Sequence, residues 1–430
     1  MKLGAQDGKL FLRGPLRQIP SKERRVAERS LLAGPELWVV LALGAGCGEK
    51  SSTGAPSAEA NAQRPAAGTH DPLRETLEDP IAVPARGDVE EARKQIAEGS
   101  QHYMAGRLQK ASQSFGKALR ADEGNPVALY LMGTTSLQRG PQQNALVALR
   151  SFRILRVLDP TLVEKEIHQP GVLREIELNE ARARVLLGDR SRSRALIESL
   201  RKAESELSEP LRALLRQSEA ILEFQEGRFS EALAAIDAAL AIVADESEFH
   251  SWRAQILEKL DRFDPAESAI RTALETSPRS AELHFIRCRL LKRLQRTDEA
   301  AREQTIFELL QPFEDDVSAG FANDHPRRIE LRSRLIEAYP EFKGARLLLV
   351  RELAQARRHD HALKDLESYL KDQPSDTEAL FLQAGCLLAI GDSAGARASA
   401  DLMRAAGAKE AVYADLIRQI DSSSPAGDGE

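Results

Sequence analysis

The chain has 430 residues, with 60 basic and 66 acidic side chains, a formal net charge of -6 and three cysteines. Charge this balanced creates no global field for nucleic acid or an anionic membrane, and three cysteines exclude both a disulfide framework and a Cys-x-x-Cys metal pair. Hydrophobic residues make up 42%, charged residues 29% and aromatics only 5%, which is the composition of an all-α chain.

Residues 1–46 carry Lys2, Lys9, Arg13, Arg17, Lys22, Arg24, Arg25 and Arg29 ahead of a short apolar run, Leu37 to Gly46, that stops at Cys47. Basic, then apolar, then small is the order of an export signal. Leu41 to Gly48 resembles a bacterial lipoprotein signal, which implies cleavage before Cys47, acylation of its sulfur, and a folded part facing the periplasm or exterior of a cell envelope. The match departs at Gly44, where the pattern wants an aliphatic residue that here sits one place earlier, at Leu43. The same residues also read as an apolar segment of a cytoplasmic tail. Residues 47–87 are rich in Ser, Ala, Pro and Gly with few large apolar side chains, so a disordered linker is expected there. Past residue 50 no run approaches the roughly 18 apolar residues that a membrane-crossing helix needs.

Asp88 and Glu91 have the spacing of a capping box, so ordered helices should begin there. Glycine-led helical stretches then recur at a fixed interval. Gly106 precedes Ala111, Phe115 and Ala118; Gly140 precedes Ala145, Leu149 and Phe152; Gly227 precedes Ala232, Ile236 and Ala239. Adding 34 to Ala232, Ile236 and Ala239 reaches Ala266, Ile270 and Ala273, and adding 34 to Ala266 and Ala362 reaches Ala300 and Ala396. Small residues at offsets of four and three share one helix face and admit a neighbouring helix closely. A fixed period of this size means a repeat array.

The pattern resembles the tetratricopeptide repeat, a helix-turn-helix unit of about 34 residues with small residues at positions 8, 20 and 27. The resemblance implies an all-α superhelix of about 8–9 helix pairs plus a C-terminal capping helix, spanning 88–421 and followed by a disordered tail at 422–430. Gly133, Ala220, Ala254, Cys288 and Ala384 take the eighth position, and Cys288 and Cys386 read as buried free thiols. The spacing fails between Ala145 and Ala232, where Val172 to Leu187 and Ala195 to Ala203 still suggest a helix pair around Gly188. An insertion loop is expected over 311–328, then one helix from Ile329 to Tyr339.

In such arrays the first helix of each unit lines a groove that holds ligands. The family's register puts Tyr103, Tyr130, Gln217, Ile221, Phe224, Gln255, Phe285, Arg289, Lys292, Arg351 and Phe381 in that lining, a mixture of aromatic, aliphatic and polar side chains suited to a protein or peptide partner. Several of them read equally as packing between neighbouring first helices. Arg289, Lys292, Arg293 and Arg296 are either a clamp for a carboxylate or a solvated face. The family's chaperone-binding clamp wants lysine and asparagine where this chain has Ile96 and Ser100.

His359-Asp360-His361 falls in an expected turn and lacks a third metal ligand, and Glu314, Asp315, Asp316, Asn323 and Asp324 match no calcium-binding loop. Gly-x-Ser-x-Gly, His-Glu-x-x-His, a phosphate loop and a dinucleotide fingerprint are all missing. The expectation is therefore a non-enzymatic interaction scaffold without cofactor or metal, lipid-anchored at Cys47 and binding a protein or peptide. A cytoplasmic adaptor and an accessory component of envelope polysaccharide or peptidoglycan synthesis are the alternatives.

Overall fold

The computed structural model describes residues 81–104, 106–139, 142–313, 319–408 and 410–423. The leader, Cys47, most of the linker span and the tail past 423 lie outside the described residues. Among those described, all regular structure is helical, and it divides into two compact units meeting at Ala269 and Ile270.

The first unit holds the pairs α1 (Val89–Met104) with α2 (Leu108–Ala121), α3 (Pro126–Gln138) with α4 (Gln142–Val157), α6 (Val172–Leu186) with α7 (Arg190–Lys202), and α8 (Glu209–Gln225) with α9 (Phe229–Ile242). A short α5 (Pro160–Ile167) stands between the second and third pairs. After α9 comes the pair α10 (Ser247–Lys259) and α11 (Phe263–Thr276), the second unit beginning inside α11. Side-chain caps start several helices: Asp88 accepts from the Glu91 amide at 3.0 Å, and Asn125 accepts from the Ala128 amide at 3.0 Å just ahead of Pro126. Asp122, fully buried, then ties the incoming chain down by accepting from Arg86 Nε at 3.0 Å, the Gly87 amide at 3.0 Å and Asn125 Nδ2 at 3.1 Å.

In seven of the pairs the two helices join through one left-handed residue. At Gly227 (φ 79°) the amide donates to Phe224 O at 3.0 Å and that of Arg228 to Glu223 O at 2.9 Å, satisfying the last carbonyls of α8. Gly106, Gly188 and Gly391 do the same work, yet Asp261, Gln295 and Arg357 hold the equivalent place at φ 56°, 60° and 57°. Two of these follow from register alone, since 227 plus 34 is 261 and 261 plus 34 is 295.

The cores are made where pairs cross. Leu178, Leu215, Leu222, Ile236, Phe249 and Ile256 form one cluster across α6 to α10, while Leu129, Phe152, Leu155, Val163, Val172 and Ile176 form another in which α5 fills the space between α4 and α6. Small residues occur where ring and backbone meet: a Cβ on Gly133 would stand 2.6 Å from Phe152 Cζ, and one on Gly99 2.5 Å from Phe115 Cε1.

The broken spacing has two causes. From Gly133 to Ala181, the close-packed residues of α3 and α6, is 48 residues, 14 more than the repeat, and the excess is α5 with its connections. From Ala181 to Ala220 is 39, and the five extra residues include the single 3-10 turn Glu204–Glu206.

The second unit contains α12 (Ala281–Arg293) with α13 (Thr297–Leu310), α16 (Gly344–Gln355) with α17 (His359–Asp372), and α18 (Thr377–Ala389) with α19 (Ser393–Ala405), closed by α20 (Glu410–Ser423). Tyr413, Leu416 and Ile420 of α20 bury themselves on Leu380, Ala384 and Ala400, which gives the expected cap its apolar face. Within the 311–328 span the described residues form a 3-10 turn, Gln311–Phe313, and a short α14 (Ala319–Asn323). The next helix, α15 (His325–Ala338), starts four residues before the expected Ile329, because Asp324 accepts from the Arg327 amide at 3.2 Å and Pro326 fits the first turn. His359-Asp360-His361 opens α17 where a turn was expected. Eight helix pairs result among the described residues, within the expected number. Cys288 and Cys386 are buried free thiols, and burial raises the Cys386 thiol.

Candidate functional site

In the first unit the first helices touch one another directly, α1 with α3, α3 with α6, α6 with α8 and α8 with α10, so they make a continuous layer. Polar side chains bridge every step. Gln138 Nε2 of α3 donates to Tyr103 Oη of α1 at 2.7 Å, and Tyr130 Oη of α3 donates to Glu175 Oε1 of α6 at 2.6 Å. Gln225 of α8 donates to the Val185 carbonyl of α6 at 2.9 Å, and Gln217 of α8 donates to Glu248 Oε1 of α10 at 2.6 Å.

The centre of this layer is electrostatically tense. Burial, reinforced by Glu175, holds the Tyr130 hydroxyl well above the usual tyrosine range. Burial also raises the Glu175 carboxyl, against hydrogen bonds from Tyr130 and Gln169 that lower it. Arg182, one turn from Asn179 and bonded to its Oδ1 at 3.1 Å, is lowered by burial and supported by the charges of Glu248 and Glu175. All three side chains are half-buried, and burial is the largest influence on each.

The predicted lining separates accordingly. Tyr103 and Tyr130 are half-buried with their hydroxyls engaged, and Phe224 is half-buried, its ring edge-on to Phe229 at 5.5 Å and Trp252 at 5.7 Å. Gln217, Ile221 and Gln255 are buried at 2%, 6% and 7% exposure and offer little surface to a partner, Gln255 donating to Ser251 of its own helix. The burial of Gln217 and Ile221 follows from the close approach of α8 and α10, which lets Gln217 reach Glu248 and shuts Ile221 into the core.

In the second unit Phe285 packs on Phe307 at 5.3 Å, Arg289 is half-buried and Lys292 is exposed. Arg351 pairs with Glu378, and Phe381 is 38% exposed. Of the basic run, Arg296 is bound by Glu299 of the following turn. Asp324 is a helix cap, while Glu314, Asp315 and Asp316 lie outside the described residues. No group of three or more His, Cys, Asp or Glu side chains converges on a metal position among the described residues, and no described helix is long and apolar enough to cross a membrane.

Glu175 and Arg182 did not emerge from the sequence. Counting forward from Ala145 loses register across α5, but counting back from Gly188 as the turn residue gives Ala181 the eighth position and Arg182 the ninth, beside Ile221 and Thr134 in neighbouring pairs. Ser193 and Leu200 then take positions 20 and 27, and both are fully buried.

Two tetratricopeptide-repeat family models match the chain, one over residues 223–294 and the other over 178–247 and 347–411. No curated protein sequence matches. Among solved structures, the chain is similar to a tetratricopeptide-repeat protein of Thermus thermophilus, at 24% identity over 46% of this chain and 98% of that one, TM-score 0.35. It is similar to a tetratricopeptide-repeat protein of Parabacteroides merdae, at 13% identity over 77% and 99% of the two chains, TM-score 0.26. A yeast Sti1 TPR2AB domain in complex with an HSP90 peptide is similar at 15% identity over 78% and 97%, TM-score 0.22. Tetratricopeptide repeats are thus recognised in both halves of the array, in an all-helical fold.

Proposed function

We propose that this all-helical chain, carrying tetratricopeptide repeats, is a non-enzymatic scaffold that holds a segment of a partner protein along the first-helix layer of its first unit. The observation that carries the reading is the run of half-buried Tyr103, Tyr130, Glu175, Arg182 and Phe224 on successive first helices, with Thr134 beside them. An extended peptide has alternating backbone donors and acceptors and side chains to seat. Carboxylate, guanidinium and amide groups between aromatic rings serve all of these, whereas catalysis would need a nucleophile gathered with a base. A bulky block tests it: in a pulldown from membrane extract, Thr134→Arg should lose the partner while Val147→Arg, on an exposed position of α4, keeps it. Equal capture by both variants would sink the reading.

The N-terminal leader supports a place for this scaffold in a bacterial envelope, anchored by lipid at Cys47 with the linker holding the array off the membrane. Cys47→Ser should move the protein out of the membrane fraction. Unchanged fractionation would favour the cytoplasmic adaptor.

A further inference from the structure

The second unit contains a guanidinium whose environment the scaffold reading does not explain. Arg332, on α15, is only 9% exposed, yet among the described residues it makes no hydrogen bond or ion pair, and its Nε is buried without a partner. The ring of Phe313 lies against it, its centroid 3.4 Å from the guanidinium carbon. A buried guanidinium whose donors meet no acceptor is costly in a finished core even with a carboxylate nearby, and a ring face returns only part of that cost.

The surroundings add positive charge. Arg328, one turn earlier, lies over the rings of Phe313 and Phe321 at 5.6 and 5.8 Å. It spends Nη2 on Glu352 at 2.6 Å and Nη1 on the Ala322 carbonyl at 3.0 Å, leaving its buried Nε unsatisfied. Arg279 and Arg351 lie within electrostatic reach of Arg332 and, like Arg328, oppose its charge, Arg328 and Arg351 being paired with Glu352 and Glu378. Burial, and the neighbouring arginines against the support of Glu352, pull the Arg332 guanidinium down to about 10. One acceptor also stands idle: Glu352 is 4% exposed, and its Oε2 is buried with no partner.

Unspent guanidinium donors beside an unspent carboxylate oxygen define a ligand with two properties. It must carry negative charge for the arginines, and it must offer a hydroxyl for Glu352. We infer that Arg332 is the principal donor of a binding site for a small oxyanion bearing a hydroxyl, the chemistry of hydrogen phosphate and of phosphate monoesters. The rings of Phe313 and Phe321 fix the planes of both guanidinium groups, and a fixed fork is what oxyanion recognition requires. Sulfate and simple carboxylates, which carry no proton at neutral pH, meet repulsion from Glu352.

The test is thermal unfolding of the full chain at pH 7 in chloride, sulfate, acetate and inorganic phosphate at matched ionic strength. Phosphate should raise the melting temperature saturably, as a ligand of the native state does, and sulfate and acetate should do so less. Arg332→Met should melt higher than wild type in chloride, because it removes a buried unpaired cation at similar volume, and should lose the phosphate increment. Arg332→Lys, which keeps charge but not the fork, should bind phosphate about tenfold more weakly. Lys292→Met, removing an exposed cation, should keep the full increment. An identical response of wild type to all four salts, an increment surviving in Arg332→Met, or Arg332→Lys binding as well as wild type would overturn the site.

Discussion

Replacing Gly133 by alanine sets two effects of similar size against each other, and the contacts decide between them. Alanine is favoured over glycine in a helix interior by about 1 kcal/mol. The added methyl would stand 2.6, 2.8 and 3.0 Å from three atoms of the Phe152 ring, and that ring is fully buried among Leu129, Ala148 and Leu149 with nowhere to withdraw. Overpacking of a closed core costs about 1–3 kcal/mol, here at the upper end because three contacts fall at or below the closest distances Cβ atoms accept. The net expectation is a loss of about 2 kcal/mol relative to wild type. Gly385 is the internal control: it lies inside α18 with nothing within 4 Å of the position a Cβ would take, so Gly385→Ala should gain about 0.5–1 kcal/mol. Urea unfolding followed by circular dichroism measures both, with hydrogen exchange in α3 and α4 locating the Gly133 effect. Gly133→Ala with Phe152→Leu should recover part of the loss, as contacting residues do. If Gly133→Ala proves as stable as wild type, the reading of this position as a ring contact fails.

Arg357 and Gln295 sit in left-handed turns that glycine takes without strain, so Arg357→Gly and Gln295→Gly should each raise stability by about 1 kcal/mol in urea unfolding; a loss would refute the turn argument. The raised Glu175 carboxyl makes ionisation a burden on the folded state. Its folded pKa lies above the unfolded one, so the native state holds the proton more tightly and stability falls as pH rises through that window. Glu175→Gln should therefore melt higher than wild type at pH 8, with the difference closing below about pH 4, near the unfolded carboxylate range. Asp122 has the opposite sign: burial alone would raise it, but Arg86, Gly87 and Asn125 together lower it. Its contribution is present above the unfolded carboxylate range and is lost as pH falls through the folded value. Asp122→Ala should cost about 2 kcal/mol at pH 7 by stranding Asn125 Nδ2 and the Gly87 amide, Arg86 keeping its pair with Glu166, and progressively less in acid.

Helix pairs could be read from the sequence because small residues at Ala232, Ala266 and Ala300 recur at one interval, and close helix crossing tolerates little else there. Register failed where extra structure enters: α5 adds 14 residues and the Glu204–Glu206 turn contributes to five more, so the third pair and Arg182 with it were out of count. The left-handed turns at Asp261, Gln295 and Arg357 are invisible by residue type and visible only by position. Register alone does not settle the lining. Tyr103, Tyr130 and Phe224 keep the partial exposure that the register implies, but whether Gln217 and Gln255 face a partner or a neighbouring helix depends on what stands opposite. For Gln217 that is Glu248, 31 residues away in sequence. The start of α15 does not follow from residue type, since Asp324, an acid within the expected loop, is the helix cap.

The central claim, that the first-helix layer of the first unit grips a protein segment, is tested most directly by photo-cross-linking from single positions. A photoreactive residue at Thr134, half-buried on α3, is compared with one at Arg150, exposed on α4. The account predicts protein adducts from position 134, identified by mass spectrometry and reduced by excess unlabelled array, with none from position 150. Equal labelling from both positions, or glycan in place of protein at position 134, would contradict it.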